Sequence, residues 1–198
     1  YILTTERISD TQVLSTTEYY DGLGRPFEMV EQKKTPDGAN LIHLKEYDGL
    51  GRDWKTWLPV KDASDFLSIS AARSQGNNQY RDSHAFSLTE YDGSPLNRIN
   101  TVEGVGAEWT SHPVKKDYLV NTSEYPLSCK YYRVSMQGQL QDKGYYPEGR
   151  LYVTKTTDEN GNESYEFKNI AGNVILKRTI CSIDEAADTY YIYDYRGN

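Results

Sequence analysis

Tyr20-Asp21-Gly22-Leu23-Gly24-Arg25 returns 27 residues later as Tyr47-Asp48-Gly49-Leu50-Gly51-Arg52. A chain that repeats a turn sequence is tied to a repeated supersecondary unit, and this constrains the fold more than any other feature. A looser copy is Tyr91-Asp92-Gly93-Ser94-Pro95-Leu96-Asn97-Arg98. Another is Tyr145-Tyr146-Pro147-Glu148-Gly149-Arg150, with Pro147 in the Asp position. Degenerate copies follow at Phe167-Lys168-Asn169-Ile170-Ala171-Gly172-Asn173 and at Tyr193-Asp194-Tyr195-Arg196-Gly197-Asn198. The anchors step by 27, 44, 55, 21 and 26 residues, so a unit of 20–27 residues stands at both ends and the middle carries insertions.

Each position has a physical reason. The Tyr ends a strand, where aromatics pack well on a pleated, half-buried surface. The Asp caps the turn by accepting backbone N–H bonds, and Gly24 and Gly51 supply positive φ. The Arg opens the return strand, where it can pair with the Asp across the turn or lie over a Tyr ring. Strand formers follow in Pro26-Phe27-Glu28-Met29-Val30, in Asp53-Trp54-Lys55-Thr56-Trp57-Leu58 and from Leu151 to Thr157. The unit reads as a β-hairpin with a tight polar turn.

The C-terminal third reads as a meander. Leu151 to Thr157 is a strand, and Asn160-Gly161 is a strong short hairpin signal. Ser164 to Phe167 alternates, Asn169 to Asn173 turns again, and Val174 to Ile180 returns. A further strand is expected over Thr189 to Tyr193, with the chain stopping inside a turn. Between the second and third copies, Asp65 reads as a helix N-cap with Phe66, Ile69 and Arg73 at helical spacing. Gly104 to Lys116 reads as a loop carrying Trp109. The expected division is 1–60 for two hairpin repeats, 61–84 for a helical or loop insertion and 85–198 for a meander with degenerate copies. Together these form one continuous unit of a mainly β, antiparallel, curved or spiralling sheet. With Tyr1 in place of Met, the chain reads as a piece of a larger protein.

Composition bears on what fills the core. Ile, Leu, Val and Phe make up just under a fifth of 198 residues, a poor aliphatic supply for a chain of net charge −7. Eighteen tyrosines compensate, since each aromatic buries roughly 150–250 Å². The scattered Lys and Arg residues lack the clustered basic face of a nucleic-acid binder. No run approaches the roughly 18 apolar residues of a membrane span. Cys129 and Cys181 stand 52 apart, and His43, His84 and His112 lack metal-ligand spacing. The cysteines read as isolated small hydrophobes, with a single disulfide as the alternative. Asp158 to Glu163 puts its Gly in the wrong place for a calcium loop. No Ser-His-Asp order or phosphate loop is present, so neither enzyme, cofactor nor metal is expected.

The quoted units resemble the YD repeats of bacterial RHS-type proteins, whose motif runs Tyr-Asp-x-x-Gly-Arg. The resemblance covers roughly residues 15–60, 85–100 and 140–198. Its motif residues here are Tyr20, Asp21, Gly24, Arg25, Tyr47, Asp48, Gly51, Arg52, Tyr91, Asp92, Arg98, Tyr146, Gly149, Arg150, Tyr193 and Asp194. The chain looks like the region at the start of, or N-terminal to, the repeat array of large cell wall-associated proteins, a domain of unknown function. The resemblance implies an antiparallel array that encloses or displays a separate C-terminal domain, often a toxin, in a secreted or surface protein. The self-cleaving segment such proteins carry is not among these residues, so no protease role passes to any of them.

The expected function is therefore a non-catalytic scaffold whose partners are neighbouring repeats and the C-terminal domain of the same chain. Open strand edges add an expectation of self-association. The alternative is a carbohydrate or cell-wall binding module, with Trp54, Trp57 and Trp109 as the flat faces for sugar rings. The odd spacing of Trp54 and Trp57 puts them on opposite strand faces.

Overall fold

Polar, glycine-bearing turns cut the chain into short antiparallel strands in a computed structural model that describes residues 1–7, 9, 13–135, 137–182 and 185–194. The chain forms two compact units, 1–113 and 114–198. The fold is mainly antiparallel β, with one α-helix among the described residues.

In residues 1–113 the strands are β1 (Ile2–Arg7), β2 (Val13–Tyr20), β3 (Pro26–Glu31), β4 (Asn40–Tyr47), β5 (Asp53–Trp57), β6 (Val60–Asp62), β7 (Phe86–Tyr91) and β8 (Ile99–Glu103). They pair in the order β1-β2-β3-β4-β5-β7-β8. Pro59 ends β5, and β6 returns to the other half of β4, pairing Val60 with Ile42. The three tyrosines Tyr20, Tyr47 and Tyr91 are the last residues of β2, β4 and β7. In each case the register slips by one residue at the tyrosine, where the strand turns into the loop.

The alternation of β4 is complete: Asn40, Ile42, Leu44 and Glu46 are buried and their neighbours are not. That buried face is covered by the 63–68 segment and helix α1 (Ile69–Tyr80). Leu44, Trp57, Ala72, Ala85 and Phe86 form one core cluster, and Val30, Ile42 and Val60 another.

The helix begins later than Asp65. Ser68 is its N-cap, accepting from the Ala71 N–H. Asp65 is engaged elsewhere: its carboxylate accepts from Asn40 Nδ2 and its carbonyl from the Tyr19 hydroxyl. The buried Glu28 carboxylate accepts the Leu67 N–H, which holds 66–68 off the helix. Asn40 and Glu28 lie 25 or more residues away in sequence, so no local pattern shows their claim. The 104–113 stretch is a loop containing a short 3₁₀ turn (Ala107–Ser111) around Trp109.

In residues 114–198 the sheet runs β9 (Val114–Val120), β12 (Tyr152–Thr157), β13 (Glu163–Lys168), β14 (Val174–Ser182), β15 (Glu185–Tyr190). A separate hairpin, β10 (Lys130–Val134) and β11 (Leu140–Tyr145), docks through Tyr132 on Tyr190 and the Lys130 N–H on the Tyr190 hydroxyl. Cys129, Leu151, Val153, Tyr165, Phe167, Ile175 and Leu176 form the core. The expected strand over Thr189 to Tyr193 lies earlier, at 185–190. Glu185-Ala186-Ala187-Asp188 are weak strand formers, yet Asp188 is drawn into the sheet by a bidentate pair with buried Arg178 at 2.8 and 2.7 Å. Arg178 also donates to the carbonyls of Pro126 and Ser128, pinning the segment before β10. Both cysteines are free; burial pushes the Cys129 thiol up to about 12, and Cys181 is exposed.

Candidate functional site

The Tyr-Asp turns of residues 1–113 gather the motif residues on one end of the sheet, because alternate connections of a meander fall on the same side. In the first, the Asp21 N–H donates to the Arg25 carbonyl (2.9 Å) and the Gly24 N–H to the Asp21 carbonyl (3.0 Å). One Asp21 carboxylate oxygen accepts the N–H groups of Leu23 and Arg25. The other accepts Arg25 Nε at 2.7 Å. Gly24 has φ +78°, a conformation that costs a side chain dearly. The second turn repeats every one of these bonds with Asp48, Leu50, Gly51 and Arg52. The third absorbs its two extra residues and still closes, with the Asp92 N–H on the Arg98 carbonyl (2.8 Å) and Arg98 Nε on Asp92 (2.8 Å). Asn97, at φ +53°, replaces the glycine.

The turns also interlock. Arg25 lies over the ring of Tyr47, 4.5 Å from its centroid, and the Tyr47 hydroxyl donates back to the Pro26 carbonyl (2.7 Å). Arg52 lies over Tyr91 at 4.4 Å, and its Nη1 reaches Asn97 Oδ1. Each arginine thus binds the Asp of its own turn and the Tyr of the next. The backbone N–H of Arg25, followed by its guanidinium, holds the Asp21 carboxyl below its ordinary range, and Arg52 does the same for Asp48. At Asp92 the Ser94 hydroxyl leads and Arg98 follows. Carboxylates held ionised with their lone pairs occupied are poor proton donors and poor nucleophiles.

Residues 3–120, which include this whole ladder, match the family described as Domain of unknown function (DUF6443). The chain belongs to that family. No curated protein matches it.

Beyond the DUF6443 match the motif copies diverge. Asp158–Asn162 and Asn169–Asn173 repeat the five-residue turn, with Asp158 or Asn169 accepting two backbone N–H groups. The Tyr146-Pro147-Glu148-Gly149-Arg150 copy is not a hairpin turn, since β11 and β12 do not pair. Pro147 has no carboxylate to close a loop, and Asn121 substitutes from 29 residues away. Its Oδ1 accepts the Arg150 and Leu151 N–H groups at 2.9 and 2.8 Å, and its Nδ2 donates to the Pro147 carbonyl. In the sixth copy Tyr193 donates to the Val174 carbonyl (3.0 Å), and 195–198 lie outside the described residues. Two turns of the same design lie outside the Tyr-Asp motif, closed between Thr35 and Ala39 and between Ser135 and Gln139. A pattern of Asp, Asn, Ser or Thr with Gly three residues on would have found both.

The three tryptophans do not share one role. Trp57 is 6% exposed, its Nε1 donating to Glu46 (2.7 Å) and its ring packed on Phe86, so it offers no face to a sugar. Trp54, on the other strand face, is half-buried with the Lys55 ammonium over its ring. Trp109 is 48% exposed, edge-on to His112. Among the described residues no three His, Cys, Asp or Glu side chains gather to hold a metal ion. Among the described residues no helix is long and apolar enough to cross a membrane.

Proposed function

We propose that the chain is a non-catalytic scaffold segment of a large exported RHS/YD-repeat protein, built to enclose or display another domain. The observation that carries this reading is the ladder itself. Asp21, Asp48 and Asp92 are consumed by their own turns, and Arg25 and Arg52 by the tyrosines of the next. A unit that locks to its neighbour through its motif residues favours extension by stacking, as repeat proteins do. Turn and packing chemistry accounts for these residues without a ligand.

The parent gene product tests the reading. Imaging it is expected to show further hairpin repeats continuing the array, with a separate domain enclosed by or mounted on them. A product with no such domain overturns the proposal. So does a turnover activity that Asp48→Asn abolishes while the fold persists.

A further inference from the structure

The 114–198 unit contains a groove of about 1040 Å³ that none of the motif chemistry explains. It lies at the top of the roughly 300–1,000 Å³ range typical of small-ligand sites. Six tyrosines line it: Tyr131, Tyr132, Tyr146, Tyr190, Tyr191 and Tyr193. Three of them, Tyr146, Tyr190 and Tyr193, also pack against the core, with Tyr190 accepting the Lys130 N–H and Tyr193 donating to the Val174 carbonyl. Tyr131 stacks at a tilt on Tyr146 with centroids 4.6 Å apart, and Tyr132 stands edge-on to Tyr190 at 5.1 Å, so the rings are held in fixed orientations. The hydroxyls of Tyr131, Tyr132, Tyr146 and Tyr191 take no protein hydrogen bond among the described residues.

The charge of the groove opposes that of the chain. Lys130, Arg133 and Lys143 line it against one carboxylate, Asp194, in a chain of net charge −7. Lys130 is paired with Asp142 at 3.0 Å. Arg133 and Lys143 are exposed and have no carboxylate within ion-pair reach among the described residues. Clustered unpaired cations in an acidic protein raise the local concentration of anions. Gln141 and Asn173 add amide groups to the lining.

We propose that this groove binds an anionic oligosaccharide. The C–H face of a pyranose ring packs on a tyrosine ring, as other apolar groups do. Its hydroxyls meet the unpartnered phenols and the amides of Gln141 and Asn173, and its acid group meets Arg133 and Lys143 through charge-assisted hydrogen bonds. An acidic peptide would engage the two cations but leave the tyrosine faces uncovered; a sugar acid satisfies rings, hydroxyls and charges together. This site is independent of the scaffold reading and uses none of the three tryptophans.

Calorimetric titration of the 198-residue protein tests it, using tetrasaccharides of galacturonic acid and of chondroitin sulfate as probes. Cellotetraose and a short poly-glutamate serve as comparisons. At least one acidic tetrasaccharide is expected to bind more tightly than both comparisons. The exposed double variant Arg133→Gln/Lys143→Gln, whose fold is checked by circular dichroism, is expected to weaken that binding at least roughly ten-fold, as loss of two charge-assisted contacts implies. Tyr191→Ala is expected to weaken it too, and Trp109→Ala to leave it unchanged. The proposal is overturned if neither acidic tetrasaccharide binds, if poly-glutamate binds as tightly, or if the double variant binds as the parent does.

Discussion

Gly24 and Gly51 occupy the same place in identical turns but meet different surroundings, which separates two physical terms. Both have positive φ, and an alanine in that region costs about 1 kcal/mol. A Cβ on Gly24 would meet nothing, whereas one on Gly51 would sit 2.5 Å from Arg25 Nη1 and push the guanidinium off Tyr47. Gly51→Ala is therefore expected to lose about 0.5–1 kcal/mol more than Gly24→Ala, the size of a cation–π contact. In an Arg25→Ala background that excess should vanish, and urea unfolding of the four variants measures it. Acid titration offers a second test at this scale. Asp21, Asp48 and Asp92 have lowered folded pKa values, so their contribution is present above the ordinary carboxylate range and lost as pH falls through the folded values. Asp48→Asn should keep the turn, as Asn169 does, and make the acid limb of the melting curve shallower. Glu28 has the opposite sign. Burial raises its pKa and one carboxylate oxygen has no partner, so its stabilisation is full below the ordinary glutamate value and drains as pH rises through the raised one. Glu28→Gln, which can still accept the Leu67 N–H, should raise the melting temperature at pH 7 and change it little near pH 4.

At the scale of elements, what the sequence reveals depends on where the determinants lie. The Asp-x-x-Gly-Arg turn is complete within five residues, so strand ends at Tyr20 and Tyr47 are read directly, and the longer Asp92–Arg98 turn still marks the end at Tyr91. The helix start could not, because Asp65 and Leu67 answer to Asn40 and Glu28 on β4 and β3. Asn121 escaped for the same reason, as a remote side chain doing the work a local Asp does elsewhere. The sequence offers the arginine either the Asp across the turn or a Tyr ring; Arg25 and Arg52 take both at once, and the ring is that of the next turn, which no local pattern shows. Helix α1 depends on a similar distant partner. Glu46 on β4 is buried and accepts from Trp57 Nε1 and from Arg73 Nε at 2.8 Å. Arg73→Ala leaves that carboxylate short of a charged donor beneath the helix. The expected cost is about 1–3 kcal/mol, read from urea midpoints. Arg73→Lys should recover only part of it, since lysine cannot form the two-pronged contact.

At the scale of the molecule, the two compact units use tyrosine differently. In residues 1–113 Tyr47 and Tyr91 are rungs, each stacked under the arginine of the preceding turn. In residues 114–198 tyrosine fills the core edge and lines a groove. The second unit carries its own core, with Leu151, Phe167 and Leu176 at 1% exposure or less, and its own ion pair, the buried Arg178 with the more accessible Asp188. Arg178 ties β14, β15 and the 126–128 segment into one network, so the unit holds together through contacts made inside it. Eighty-five residues with that core lie within the size range of domains that fold alone. A protein consisting of residues 114–198 is therefore expected to give a β-type circular dichroism spectrum, dispersed amide resonances and a cooperative melt. Phe167→Ala, which empties a fully buried site at a cost of roughly 3–5 kcal/mol, should abolish that melt. A fragment lacking dispersed resonances, or one indifferent to Phe167→Ala, would show that the core of this unit does not suffice to fold it.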